Sequence, residues 1–183
     1  MRRLGGRLGV EAMSLYNHVT DRDDILGGMV ELVAIDFEVP TGAPDWRTSI
    51  RSSARSTHEV LLRHPWASSL AESRAEVGPV RLRWLEATVG VLTGAGFPMP
   101  VVIRTLMALD AHTYGFALQE QAWPFPPEAA HERATVLAAE LPPGHPNVAA
   151  LMKHVATTDV PIVDFDFGLD LLLDGLGRLL PRE

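Results

Sequence analysis

The chain has 183 residues, 46% of them hydrophobic and 21% charged, with a net charge of −7 and no cysteine. That length supports one good-sized core plus a small appendage. The lack of cysteine removes disulfides, thiolate nucleophiles and cysteine zinc sites, and fits a reducing cytoplasm. The arginines after Met1 precede no apolar run, so no secretory signal is expected. No stretch of about 18 uncharged apolar residues offers a membrane span; Asp170 and Asp174 interrupt the nearest candidate.

Leu, Ala, Arg and Glu outnumber Val, Ile, Phe and Tyr, which favours helix over sheet. The spacing predicts short helices over residues 2–8 and 11–17, parted by a tight turn at Gly9-Val10. Thr20 reads as the N-cap of a third helix with Asp23 at N3, and Ile25, Met29, Leu32 and Val33 give it one buried stripe to about Phe37. Two prolines and a glycine in residues 39–44 make the best linker in the chain. Asp45 then caps a helix whose stripe is Ile50, Ala54, Thr57 and Leu61, ending near His64-Pro65.

A short helix is expected over 66–72. Gly78-Pro79 reopens another, with Leu82, Leu85, Val89 and Leu92, which stops at residues 94–98. Residues 99–121 are apolar on most of the helix circumference, so that helix is buried on more than one side. Helices over 128–141 and 147–156 follow. After Pro161 a last amphipathic helix covers 163–180, with Asp166, Asp170 and Asp174 as one polar stripe. No strand pattern, repeat or low-complexity tract interrupts this reading. The expected class is all-α, with nine or ten helices and a break near residue 40.

Two short helices across a tight turn have the layout of a helix-turn-helix, which lays its second helix in the DNA major groove. Residues 1–20 carry Arg2, Arg3 and Arg7 against Glu11 alone, a positive end on an acidic chain. Leu8-Gly-Val-Glu-Ala-Met-Ser-Leu-Tyr-Asn-His-Val19, followed by Arg22 and Ile25-Leu26, resembles the recognition region of the tetracycline-repressor-type (TetR) transcriptional regulators. Gly115-Phe-Ala-Leu-Gln-Glu120, Phe165-Asp-Phe-Gly-Leu-Asp170 and Gly175-Leu176 resemble the two dimer-forming helices of the tetracycline-repressor class of C-terminal domain.

The resemblance implies a homodimeric, ligand-responsive repressor that binds double-stranded operator DNA and is released by a small-molecule effector. Residues 1–38 would form the helix-turn-helix domain, without the further helix that opens family members, so the given start is expected to lie too late. Residues 45–183 would form the ligand-binding and dimerisation domain. Ala12, Met13 and Ser14 fall where family members touch base edges, and Tyr16 and His18 where they touch phosphate. Arg22 and Arg2 fall where phosphate or base contacts are expected, and Leu15 and Val19 where the recognition helix is held. Hydroxyls and guanidinium forks suit phosphate, whereas Ala and Met offer only apolar contacts, so base specificity from this helix is expected to be modest. Ala71 and Gln119 replace the His and the partner Glu with which the tetracycline repressor holds its metal, so no metal or other cofactor is expected.

No enzymatic motif competes with this. His58-Glu59 and His131-Glu132 begin like a zincin motif, but Leu62 and Thr135 stand where its second ligand belongs. Gly94-Ala-Gly96 is a helix stop, not a dinucleotide fingerprint. An effector pocket is expected among the central helices, with Trp66, Trp84, Phe97, Leu106, Met107, Asp110, Tyr114 and Trp123 as candidate walls, each of them equally at home in a core. Gly168 and Gly175 are expected to let two subunits approach closely. The rival reading is a small-molecule-binding or dimerisation module derived from such a regulator that no longer binds DNA.

Overall fold

The computed structural model describes residues 1–42, 44–73, 77–124, 129–158 and 162–180. Among these the secondary structure is helical throughout, with no strand. The helices are α1 (Arg2–Leu8), α2 (Ala12–Leu15), α3 (Arg22–Ala34), α4 (Trp46–Arg63), α5 (Pro65–Glu72), α6 (Pro79–Gly94), α7 (Met99–Gln121), α8 (Ala130–Glu140), α9 (Pro146–Thr157) and α10 (Phe165–Gly177).

The helix starts follow local chemistry. Asp45 caps α4 by accepting the Thr48 N–H at 3.0 Å, a bond that holds its carboxyl below the ordinary 3.8. Asp164 caps α10 through the Phe167 N–H, also at 3.0 Å. Pro sits in the first turn of α5, α6, α7 and α9, where a missing N–H breaks no helical bond. The cap of α3 is Asp21, not Thr20. Asp21 accepts the Asp24 N–H at 2.8 Å, while the Asp24 carboxylate reaches back to the Thr20 N–H at 2.9 Å. The run Thr-Asp-Arg-Asp-Asp supports two phases of this box, and the one with carboxylates at both ends is the one formed.

Two core clusters share α4 and α7. One joins Ile50, Ala54, Leu92, Phe97, Val102 and Leu109 to the inner face of α10, Phe165, Leu169, Leu173 and Leu176. The other joins Val33, Ala34 and Phe37 at the end of α3 to Val60, Leu61, Ala67, Trp84, Tyr114 and Ala117. Burying a large side chain of this kind is worth about 1.5–3 kcal/mol, so the second cluster fixes the end of α3 firmly to the body. Helices α8 and α9 pack on each other.

The polar stripe of α10 has a partner. Arg47, Arg51 and Arg55, at the same i, i+4, i+8 spacing on α4, run antiparallel to Asp174, Asp170 and Asp166. Arg51 grips Asp170 with two bonds of 2.9 Å. The segment expected to be a linker is strapped down by a serine stripe. Ser56 Oγ accepts the Glu38 N–H, Ser53 Oγ donates to the Glu38 carbonyl, and Ser52 Oγ donates to the Glu38 carboxylate. Ser49 Oγ accepts the N–H groups of Thr41 and Gly42.

Candidate nucleic-acid interface and interior chamber

The small head is built around one turn. Gly9 ends α1 with φ 71° and ψ 24°, a left-handed conformation that any Cβ would strain, and Val10 N–H returns to the Gly5 carbonyl at 3.0 Å. Helix α2 is a single turn, shorter than the 11–17 expected from sequence. Successive bonds from Tyr16, Asn17 and His18 to the carbonyls of Met13, Ser14 and Leu15 then continue it as a tight turn.

Met13 is 72% exposed and Tyr16 42%, and Arg2, His18 and Arg22 are exposed as well. Ser14 is half-buried and spends its hydroxyl on the Glu11 carbonyl at 2.8 Å, within its own turn. Leu15 and Val19 are half-buried. The side chain of Ala12 lies outside the described residues. The surface this head offers thus combines the exposed apolar side chains of Leu4, Leu8, Val10 and Met13 with a phenol, an imidazole and guanidinium groups; the polar ones suit phosphate oxygens and Met13 a base methyl.

Between α3, α5, α6 and α7 lies a chamber of about 980 Å³. Its apolar walls include Val33, Phe37, Leu61, Leu70, Ala71 and Tyr114, and its polar groups are Asp21, Asp23, Asp24, Glu31 and Arg81. Arg81 pairs with Asp110, lies 4.4 Å over the Trp84 ring and 5.8 Å from that of Tyr114, and keeps its Nη1 without a hydrogen-bond acceptor among the described residues.

The sequence-derived pocket candidates are distributed unevenly. Tyr114 lines the chamber; Trp84, Asp110 and Tyr114 together line a separate interior void of about 10 Å³. Trp84 is buried and donates its indole N–H to Ser53 Oγ at 2.9 Å. Phe97 sits in the other core cluster, edge-on to Trp46 at 5.0 Å. Leu106 packs, half-buried, against both clusters. Met107 is 63% exposed on α7, and Trp66 and Trp123 are exposed. Residues that sequence reasoning passed over, Glu31 and Arg81 among them, supply much of the chamber's polarity.

A second polar cluster stands where α4, α7 and the start of α10 meet. The rings of His58 and Phe165 are parallel at 4.1 Å, His112 stacks on Phe165 at 4.8 Å, and Phe116 closes the group edge-on. His58 Nε2 meets Glu120 at 2.9 Å. Burial pushes the His58 imidazole below the ordinary 6.5 despite the opposing pull of Glu120. His112 Nε2 meets the Phe165 carbonyl at 3.0 Å. A Cβ on Gly168 would lie 2.5 Å from His112 Cε1, so this glycine admits an imidazole of its own chain. At Gly175 a Cβ would meet nothing within 4 Å.

An all-helical body with a chamber open to solvent on one side, carrying a short helix-turn-helix at one end, is the architecture of a transcription regulator. The profile described as tetracyclin repressor-like, C-terminal domain, matches residues 40–180. An HTH-type transcriptional regulator of Saccharopolyspora erythraea is 35% identical over 130 residues, covering 70% of this chain and 55% of that protein. The HTH-type transcriptional repressor DrrR1 of Streptomyces coeruleorubidus is 29% identical, covering 100% of this chain and 71% of its own length. The crystal structure of the Streptomyces coelicolor TetR family protein ActR in complex with actinorhodin superposes with a TM-score of 0.79 at 26% identity, covering 97% of this chain and 86% of that one. The chain belongs to the tetracycline-repressor-like (TetR) family of transcriptional regulators.

The metal of the tetracycline repressor does not fit this chain. Ala71, on the chamber wall, and the exposed Gln119 offer no ionisable donor at the two positions the resemblance assigns to its ligands. Among the described residues no group of three or more His, Cys, Asp or Glu is arranged to hold an ion. No helix among them is long and apolar enough to cross a membrane.

Proposed function

We propose that this protein is a cytoplasmic repressor that binds double-stranded operator DNA as a homodimer and releases it when a small effector enters the chamber. The reading rests on one arrangement: α3 carries the exposed head at one end and lines the chamber along its length. Residues 1–38 act as the reading head. Met13 and Ser14, with Ala12, face bases, and Arg2, Tyr16, His18 and Arg22 hold phosphates. Residues 45–183 bind the effector and the second subunit. The α7 and α10 surfaces support the dimer: Ile103, Met107, Phe167 and Leu171 are each between 56% and 66% exposed, an apolar face that a four-helix packing with a second copy would cover. The protein acts by binding and not by catalysis.

The test is fluorescence anisotropy with labelled DNA from either side of its own gene, titrated at several salt concentrations. Saturable, competitor-resistant binding is expected. Arg22→Ala should weaken binding to all sequences and lower the salt slope by about 1, as for one lost phosphate contact. Met13→Ala should leave the slope unchanged and alter sequence preference. Failure of the intact dimer to bind any flanking DNA would refute the repressor reading and favour a module that binds ligand alone.

A further inference from the structure

Helix α6 begins without a side-chain cap of its own. Its N-cap is Gly78 and its first residue Pro79, so neither offers an oxygen to the free N–H groups of the first turn. The missing oxygen comes from another helix. Glu31 of α3 accepts the Val80 N–H at 2.7 Å through Oε2. Its carboxylate occupies the very space that a side chain at position 78 would fill: a Cβ on Gly78 would lie 2.2 Å from Glu31 Cδ and Oε1. A negative group at a helix start is favoured by the exposed N–H groups and by the helix dipole. The bond therefore ties α3 to α6 by one defined contact, at the rim of the chamber that both Glu31 and Gly78 line.

The rest of α3 makes this contact consequential. Its far end is fixed, because Val33, Ala34 and Phe37 are buried in the core and the serines of α4 hold Glu38. Its near end carries the head through residues 16–21. Within the helix, Glu31 lies three residues from the buried Ala34 and Arg22 twelve, about 4.5 Å and 18 Å at 1.5 Å per residue, a lever ratio of about four. A small sideways movement at Glu31 is thus amplified roughly four-fold where α3 meets the head.

We infer that Glu31 is a positioning residue that latches α3 to α6, and that an occupant of the chamber acts on the head by dislodging this latch. The inference rests on the proposal that the chamber is the effector site, and it adds which contact carries the signal. It also explains why position 78 is glycine although its backbone needs no left-handed conformation (φ −76°).

The chain holds no cysteine, so Arg22→Cys on α3 and Arg104→Cys on α7 give one unique spin-label pair. Dilution with unlabelled protein confines the measured distance to one chain. A single narrow distribution is expected in this background. Glu31→Ala and Gly78→Ala should each add a second, displaced population, with the equilibrium moved about ten-fold, as for loss of a helix cap. Glu31→Gln should keep the original distance, because its amide oxygen still accepts the Val80 N–H. Ala71→Trp, which fills the chamber without a ligand, should populate the same displaced state. Hydrogen exchange at the Val80 amide gives an independent reading and should quicken about ten-fold in Glu31→Ala. Unchanged distances and unchanged Val80 exchange in folded Glu31→Ala would overturn the latch. Unchanged distances in Ala71→Trp alone would overturn its link to the chamber. If the distances respond as expected but the wild-type chain binds no DNA, the latch stands and the repressor reading falls.

Discussion

Gly168 offers a test in which the sign of a mutational effect should reverse. In a helix interior, Gly→Ala ordinarily stabilises by about 0.8–1.0 kcal/mol through helix propensity. Here the new methyl would stand 2.5 Å from His112 Cε1, well inside van der Waals contact. The imidazole must swing away and lose both its contact with the Phe165 carbonyl and its stack on the Phe165 ring. Overpacking costs about 1–3 kcal/mol, and a lost hydrogen bond about 0.5–1.5 kcal/mol. Set against the propensity gain, Gly168→Ala should destabilise by about 1–3 kcal/mol. In a His112→Ala background the obstacle is gone, so the same substitution should stabilise by about 0.5–1 kcal/mol. The coupling energy is then about 1.5–4 kcal/mol, reaching above the usual range of about 0.5–3 kcal/mol for residues in contact. Urea midpoints followed by circular dichroism, at one fixed protein concentration, measure all four corners of the cycle. Equal effects of Gly168→Ala in both backgrounds would show that His112 does not occupy the space over this glycine.

His58 gives a pH signature. Its folded pKa is depressed, chiefly by burial, so the unfolded chain takes up the proton first as pH falls below 6.5. The urea midpoint should therefore drop as pH falls through and below that value, and His58→Gln should flatten this part of the profile. Trp84→Phe removes the indole N–H bond to Ser53 and leaves a small void; about 2 kcal/mol of destabilisation is expected from denaturant midpoints. Met107→Glu or Leu171→Glu should convert the proposed dimer to monomer in light scattering behind size exclusion, with the monomer's helix content intact, since both side chains are exposed in the single chain. Arg51→Ala should cost less than about 1 kcal/mol, because the pair with Asp170 is substantially exposed.

Periodicity and punctuation carried most of the helices. The Gly78-Pro79 start of α6 and the aspartate cap of α4 were legible because each depends on chemistry within four residues of sequence, whereas Pro65 and Pro146, read as helix ends, open α5 and α9. What was not legible depends on partners distant in the chain. Asp166, Asp170 and Asp174 read only as one polar stripe, although Arg47, Arg51 and Arg55 show the same spacing; only the antiparallel placing of α4 and α10 makes them a ladder. Ser49, Ser52, Ser53 and Ser56 drew no reading from sequence, because only the returning chain at Glu38–Gly42 gives their hydroxyls something to hold. Gly168 was read toward a second subunit because glycine on an apolar helix signals close approach without saying to what.

The chamber was hardest to foresee because a cavity is defined by what side chains leave unfilled. Large residues such as Trp84 and Phe97 drew attention as walls, yet their size is what lets them fill the core. The space opens instead where residues are small: Gly27, Gly28, Ala67, Ala71 and Gly78 all line it. If the chamber holds the proposed effector, tolerance at those of them that point inward is set by the occupant as much as by folding. Gly27, Ala67, Ala71 and Gly78 are partly or fully buried, so a larger side chain there must enter the chamber or displace its neighbours. Gly28 is exposed, and an added methyl there would touch nothing within 4 Å. Variants at 67 and 71 should therefore lose response to an effector before they lose stability, whereas Gly28→Ala should leave both intact.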